Sequence, residues 1–94
     1  MKIDTIEKIA TFIKENVDEE YIESLLDGSS NVITFDLYNL KDFVGILIES
    51  DFWEDDPETL DVEIIKENVY IDLQNKFMHF VDYEILINEV RKLI

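Results

Sequence analysis

Eight carboxylates crowd the fifteen residues from Glu49 to Glu63, reading E-S-D-F-W-E-D-D-P-E-T-L-D-V-E, with no basic residue among them. Exposed like charges at such spacing repel one another by roughly 0.2–0.5 kcal/mol per pair. A facing surface of arginine and lysine turns that repulsion into attraction. Phe52 and Trp53, the latter the only tryptophan, stand in the middle of the run. Aromatic anchors beside charged groups have the composition of binding hot spots. The segment therefore predicts a partner-binding surface built from Glu49, Asp51, Phe52, Trp53, Glu54, Asp55, Asp56, Glu58 and Asp61. The competing reading packs Phe52 and Trp53 beneath the segment and leaves the acids to solvate it. A second acidic patch, Glu15, Asp18, Glu19, Glu20, Glu23 and Asp27, surrounds Tyr21. Asp18, Glu19, Glu20, Tyr21 and Glu23 form the secondary candidate, although acids at a helix start are already favoured by the positive end of the helix dipole.

Metal chemistry finds no matching pattern. A calcium loop of the EF-hand type needs an oxygen ligand at its third position and glycine at its sixth. Counted from Asp51, those positions hold Trp53 and Asp56. Catalysis finds no pattern either. His79, the only histidine, lies in Phe77-Met78-His79-Phe80 and reads as a strand residue rather than a base. With zero cysteines there is no disulfide, thiolate zinc site or thiol nucleophile. Ser24, Ser29, Ser30 and Ser50 lack the strand-turn-helix setting of an activated serine, and the two isolated glycines build no phosphate-cradling loop. Acid and base work by paired carboxylates requires burial to separate their pKa values, and a water-exposed acidic segment does not supply it. The expectation is a protein that is no enzyme and takes no cofactor or metal. Glu23-Ser24-Leu25-Leu26 resembles the Asp-Ser-Leu attachment motif of acyl carrier proteins only superficially: Ser24 falls late in a helix, and the alternating strands described next contradict an all-helical bundle.

The elements that must carry these residues follow from periodicity. Ile3, Ile6, Ile9, Ala10, Ile13 and Val17 recur at three and four, the period of an amphipathic helix, with Asp4 as its cap. The pattern resumes through Tyr21, Ile22, Leu25 and Leu26 after a fresh start at Asp18, as one bent helix or two short ones, and ends at Asp27-Gly28-Ser29-Ser30. From Val32 to Leu37 the period drops to two, with Ile33, Phe35 and Leu37 on one face and Thr34 and Asp36 on the other. Leu40, Phe43, Val44, Leu47, Ile48 and Phe52 return to helical spacing behind the cap residue Asn39. Gly45 costs such a helix about 1 kcal/mol relative to alanine, and the run from Val44 to Ile48 also suits a strand.

Leu60, Val62 and Ile64, then Val69, Ile71 and Leu73, alternate with polar residues and predict a hairpin through Lys66-Glu67-Asn68. Asp56-Pro57 competes as a short helix start. A further strand is expected over Lys76 to Val81, followed by a helix that Asp82 caps and that buries Leu86, Val90 and Leu93. Arg91 and Lys92 are expected to face that helix's own negative end. The predicted fold is one α+β domain over residues 1–94: a three- or four-stranded, mostly antiparallel sheet packed against N-terminal, middle and C-terminal helices.

The whole chain carries 23 Asp and Glu against 8 Lys and Arg, a net charge of −15 on 94 residues, with 47% hydrophobic content to fold it. Nucleic acid and anionic lipid repel such a chain, so direct binding to either is not expected. Basic surfaces belong largely to proteins that handle nucleic acid, and these are the expected partners. Met1-Lys2-Ile3-Asp4 opens no basic and apolar signal segment, which predicts a cytoplasmic protein. Three functional classes fit: an immunity or antitoxin protein neutralising a nuclease toxin, a DNA-mimic anti-restriction or anti-CRISPR protein, and an acidic adaptor subunit. A mimic spreads its carboxylates at phosphate spacing, about 3.4 Å per step along one strand. Concentration around Phe52 and Trp53 favours the first class.

Overall fold

The computed structural model describes residues 3–49, 62–76 and 79–94. In it the first apolar stripe is one face of helix α1 (Ile3–Asn16). Ile6, Ile9, Ala10 and Ile13 are buried there, because steps of three and four return to one side of the helix. Asp4 lies within the first turn of α1 and is not its cap. The chain restarts as a separate helix, α2 (Glu19–Asp27), after Asp18, whose extended backbone occupies the N-cap position without a side-chain cap bond. Gly28 closes α2 at φ 81°, a left-handed conformation that a side chain would strain. The exit is tightened by the Ser29 N–H, which donates to Asp27 Oδ1 at 2.8 Å.

The described strands form an antiparallel sheet in the order β1-β3-β2, from β1 (Val32–Asp36), β2 (Glu63–Ile65) and β3 (Asn68–Asp72). Ile33 pairs with Ile71 and Phe35 with Val69, so the inward residues of the two longer strands sit directly opposite one another. Leu37 departs from the expected alternation. The Asp36 carboxylate accepts the Tyr38 N–H at 2.9 Å and turns the chain into a single 3-10 turn (Leu37–Asn39), leaving Leu37 exposed. That turn runs straight into α3 (Leu40–Glu49), so Asn39 is not a helix cap. The alternative strand over Val44 to Ile48 is excluded by the same helix. The hairpin turns over Lys66 and Glu67 alone, with Asn68 already paired to Ile65, and Lys66 adopts φ 58°.

The expected strand over Lys76 to Val81 is not formed at its described residues, because Lys76 ends one helix and Phe80 and Val81 begin another, while Phe77 and Met78 lie outside the described residues. Leu73, fully buried, opens a short turn, α4 (Leu73–Lys76), and Phe80 opens α5 (Phe80–Leu93). An apolar run of this length suits either element, and here the helical spacing of Tyr83, Leu86, Ile87 and Val90 against α1 prevails. His79 is accordingly no strand residue: it is the exposed N-cap position of α5. Asp82 lies in the first turn rather than at the cap. Arg91 serves another helix, donating from Nη2 to the Leu26 carbonyl at 2.7 Å and satisfying the end of α2. The proposed helix start at Asp56-Pro57, the strand residue Leu60 and the helix residue Phe52 lie outside the described residues.

The core joins these layers through α1, which packs on α5, α3, α2 and β1. Phe12 of α1, Phe35 of β1 and Phe43 of α3 meet with ring centroids 5.0, 5.3 and 5.5 Å apart. β1 is covered on both faces at its centre: Thr34, which alternation sets on the face opposite Ile33 and Phe35, is buried as they are, while Asp36 at the strand's end is exposed. The hydroxyls of Thr34 and Thr5 are buried without a hydrogen-bond partner among the described residues. A buried unsatisfied hydroxyl costs about 1–3 kcal/mol. Thr34→Val and Thr5→Val, which exchange the hydroxyl for a methyl and keep the β-branch, are each expected to stabilise the fold by about 1 kcal/mol. Urea unfolding that shows either variant weaker than the parent refutes this.

Tyr83 ties α5 to the chain entering β1 by donating its hydroxyl hydrogen to Asn31 Oδ1 at 2.9 Å. Burial, and secondarily the negative charge of Asp72, raise its phenol above the ordinary value of 10.0. Above that ordinary value the folded state keeps a proton that the unfolded chain has lost. Stability from this group is therefore complete at lower pH and is lost as pH climbs through the raised folded value. Tyr83→Phe is expected to cost about 1 kcal/mol at neutral pH and to flatten the alkaline limb of stability against pH. An unchanged alkaline limb contradicts the assignment.

Candidate functional site

Helices α1 and α3 touch through Phe12 and Phe43, and on the solvent side of that contact lies an open groove of about 890 Å³. Phe12, Gly45 and Ile46 provide its apolar lining. Asp4, Glu7 and Glu15 rise from α1, and Asp42 and Glu49 from α3, all exposed. Lys8 and Lys41 are the basic members of the lining. Local sequence explains both walls. On α1 positions 4, 7, 11 and 15, and on α3 positions 42, 45 and 49, recur at three and four, so each row stands on one helical face beside the buried stripe.

Five carboxylates against two lysines leave the groove negative. The charge is not neutralised locally: among the described residues Lys92 Nζ pairs with Glu89 Oε1 at 2.9 Å, whereas none of the groove's carboxylates is in an ion pair with a described residue. An amphipathic groove of this kind can receive an element that is apolar along its centre and cationic along its flanks.

Of the residues assigned to the first acidic segment, Glu49 is described and lines this groove. Asp51, Phe52, Trp53, Glu54, Asp55, Asp56, Glu58 and Asp61 lie outside the described residues. The second patch divides. Glu15 joins Glu49 in the groove, so one residue from each acidic region of the sequence lines the same surface. Asp18, Glu19, Glu20 and Glu23 are exposed, and Glu19 and Glu23 border a separate hollow of about 550 Å³ lined by Val17, Ile22, Leu26 and Leu93. Tyr21 is half-buried against the core. Its ring therefore contributes to packing.

Sequence reasoning missed Asp4, Glu7, Asp42 and Gly45 as site residues. The signal was their helical recurrence, but nothing local states that α1 and α3 are neighbours. Among the described residues no group of three or more His, Asp or Glu side chains is placed to hold a metal ion. Among them no helix is long and apolar enough to cross a membrane. No protein-family model matches this chain, and no curated protein or solved structure is detectably similar to it.

Proposed function

We propose that this chain is an acidic protein inhibitor that binds and blocks a basic nucleic-acid-acting protein, in the specific form of an immunity or antitoxin protein that neutralises a nuclease toxin. The observation that carries the reading is the charge of −15 on 94 residues. Charge of this size in so small a domain opposes folding through self-repulsion, and a basic partner converts the same field into steering and attraction. Exposed carboxylates along the α1–α3 groove support it. The carboxylates clustered about Phe52 and Trp53 favour the immunity form over an extended nucleic-acid mimic.

The test is a nuclease assay on the product of the neighbouring gene with this chain added in increasing ratio. Inhibition that saturates near stoichiometry, with binding that weakens as salt rises from about 0.05 to 0.5 M, is the expected result. A neighbouring product that is no nuclease, or a nuclease left active, removes the immunity reading. Inhibition of a host restriction or CRISPR nuclease by a chain from a phage setting transfers it to the mimic class.

A further inference from the structure

Gly45 lies in the middle of α3, and the fold gives no reason for it. Glycine is the poorest helix former after proline. The positive-φ glycine among the described residues is Gly28, so no unusual backbone conformation requires glycine at position 45. Close packing among the described residues does not require it either, since a Cβ built there would meet none of them within 4 Å. The missing side chain does leave the lining of the α1–α3 groove open beside Ile46 and Phe12. Small residues on a helix surface let a second helix approach closely.

The surroundings define what approaches. The rim of the buried Phe12 ring, the half-buried Ile46 and Gly45 form an apolar floor, flanked by carboxylates from α1 on one side and α3 on the other that outnumber Lys8 and Lys41 five to two. This is complementary to a helix with an apolar stripe between rows of Lys and Arg. A second copy of this chain, at −15, is repelled. Resting on the inhibitor reading above, we infer that the groove is the docking site for a basic amphipathic helix of the partner protein, which crosses α3 at Gly45. The wall formed by α1 is 14 residues long, roughly 21 Å, and calls for a partner helix of about four turns.

The probe is a synthetic peptide of about 15 residues, four helical turns, with a Leu and Ala stripe flanked by Lys and Arg. A second peptide has the same composition in an order that abolishes the stripe. Both are titrated by fluorescence anisotropy against the full chain and its Gly45→Glu and Gly45→Ala variants. Gly45→Glu separates the effects, because it adds negative charge, which strengthens a pure field attraction, while placing a side chain where the helix must cross. The expected result is binding of the striped peptide that Gly45→Glu weakens at least about tenfold, or 1.4 kcal/mol, with weaker binding of the scrambled peptide. Gly45→Ala is expected to raise the melting temperature by about 4–8 °C, which confirms that the fold gains nothing from the glycine. If Gly45→Glu binds the striped peptide as tightly as the parent or more tightly, the groove is not the docking site, though attraction to basic proteins stands. If neither peptide binds the parent even at low salt, both the groove and the inhibitor reading fall.

Discussion

Phe43→Ala is expected to destabilise the fold by about 3–5 kcal/mol, the largest effect of any single truncation in the described core. Phe43 is 0% exposed. Its ring lies 5.3 Å from Phe12 and 5.5 Å from Phe35, so its removal leaves a cavity where α1, β1 and α3 meet, and none of the three can close it alone. The cost combines lost transfer energy with lost dispersion contacts around the void. A domain of this size has roughly 5–14 kcal/mol of stability in total. A drop of at least about 12 °C in melting temperature follows. Tyr38→Ala provides the control: Tyr38 is 85% exposed, and its truncation should stay within about 0.5 kcal/mol. Urea titration of both variants measures the difference directly. A Phe43→Ala cost below about 1.5 kcal/mol would show that the junction repacks and does not act as a rigid core.

The second large effect is kinetic. Replacing Asp55, Asp56 and Glu58 together by Ser is expected to slow association with the basic partner about tenfold and to flatten its salt dependence, because steering follows the summed field. Dissociation should change far less. Trp53→Ala should do the reverse, accelerating dissociation and weakening affinity by about 2 kcal/mol or more while association is nearly unchanged. Stopped-flow association and dissociation rates, with circular dichroism on each variant, separate the two roles. Trp53→Ala that unfolds the chain assigns Trp53 to the core. If both folded variants keep the parent's rates, the acidic segment is a solvated face, and recognition falls to the groove carboxylates and the Asp18 to Glu23 region.

Legibility of the fold followed the locality of each signal. The stripe on α1 and the alternating residues of β1 and β3 are written in periods of three to four and of two, which the backbone alone sets, and the stop at Gly28 is written in a single residue type; that β1 pairs with β3 is not. The error over Lys76 to Val81 has the converse cause. Phe80 and Val81 belong to a short apolar run that either element accommodates, and docking of Tyr83, Leu86 and Val90 on a helix some seventy residues earlier decides their place in α5. Thr34 has the same origin, since alternation states which residues share a face but not whether the opposite face is covered. Arg91 follows suit, because its acceptor is the Leu26 carbonyl of another helix.

The candidate site divides along the same line. The sign and size of the charge are sums over residues that need no coordinates; sequence by itself determined them. That Glu49 joins Asp4, Glu7 and Glu15 on one surface, with Gly45 open beside Ile46, depends on α3 packing against α1 through Phe43 and Phe12. Only the tertiary structure decided that convergence, because a contact between side chains about thirty positions apart is the outcome of whole-core packing and is encoded in neither segment alone.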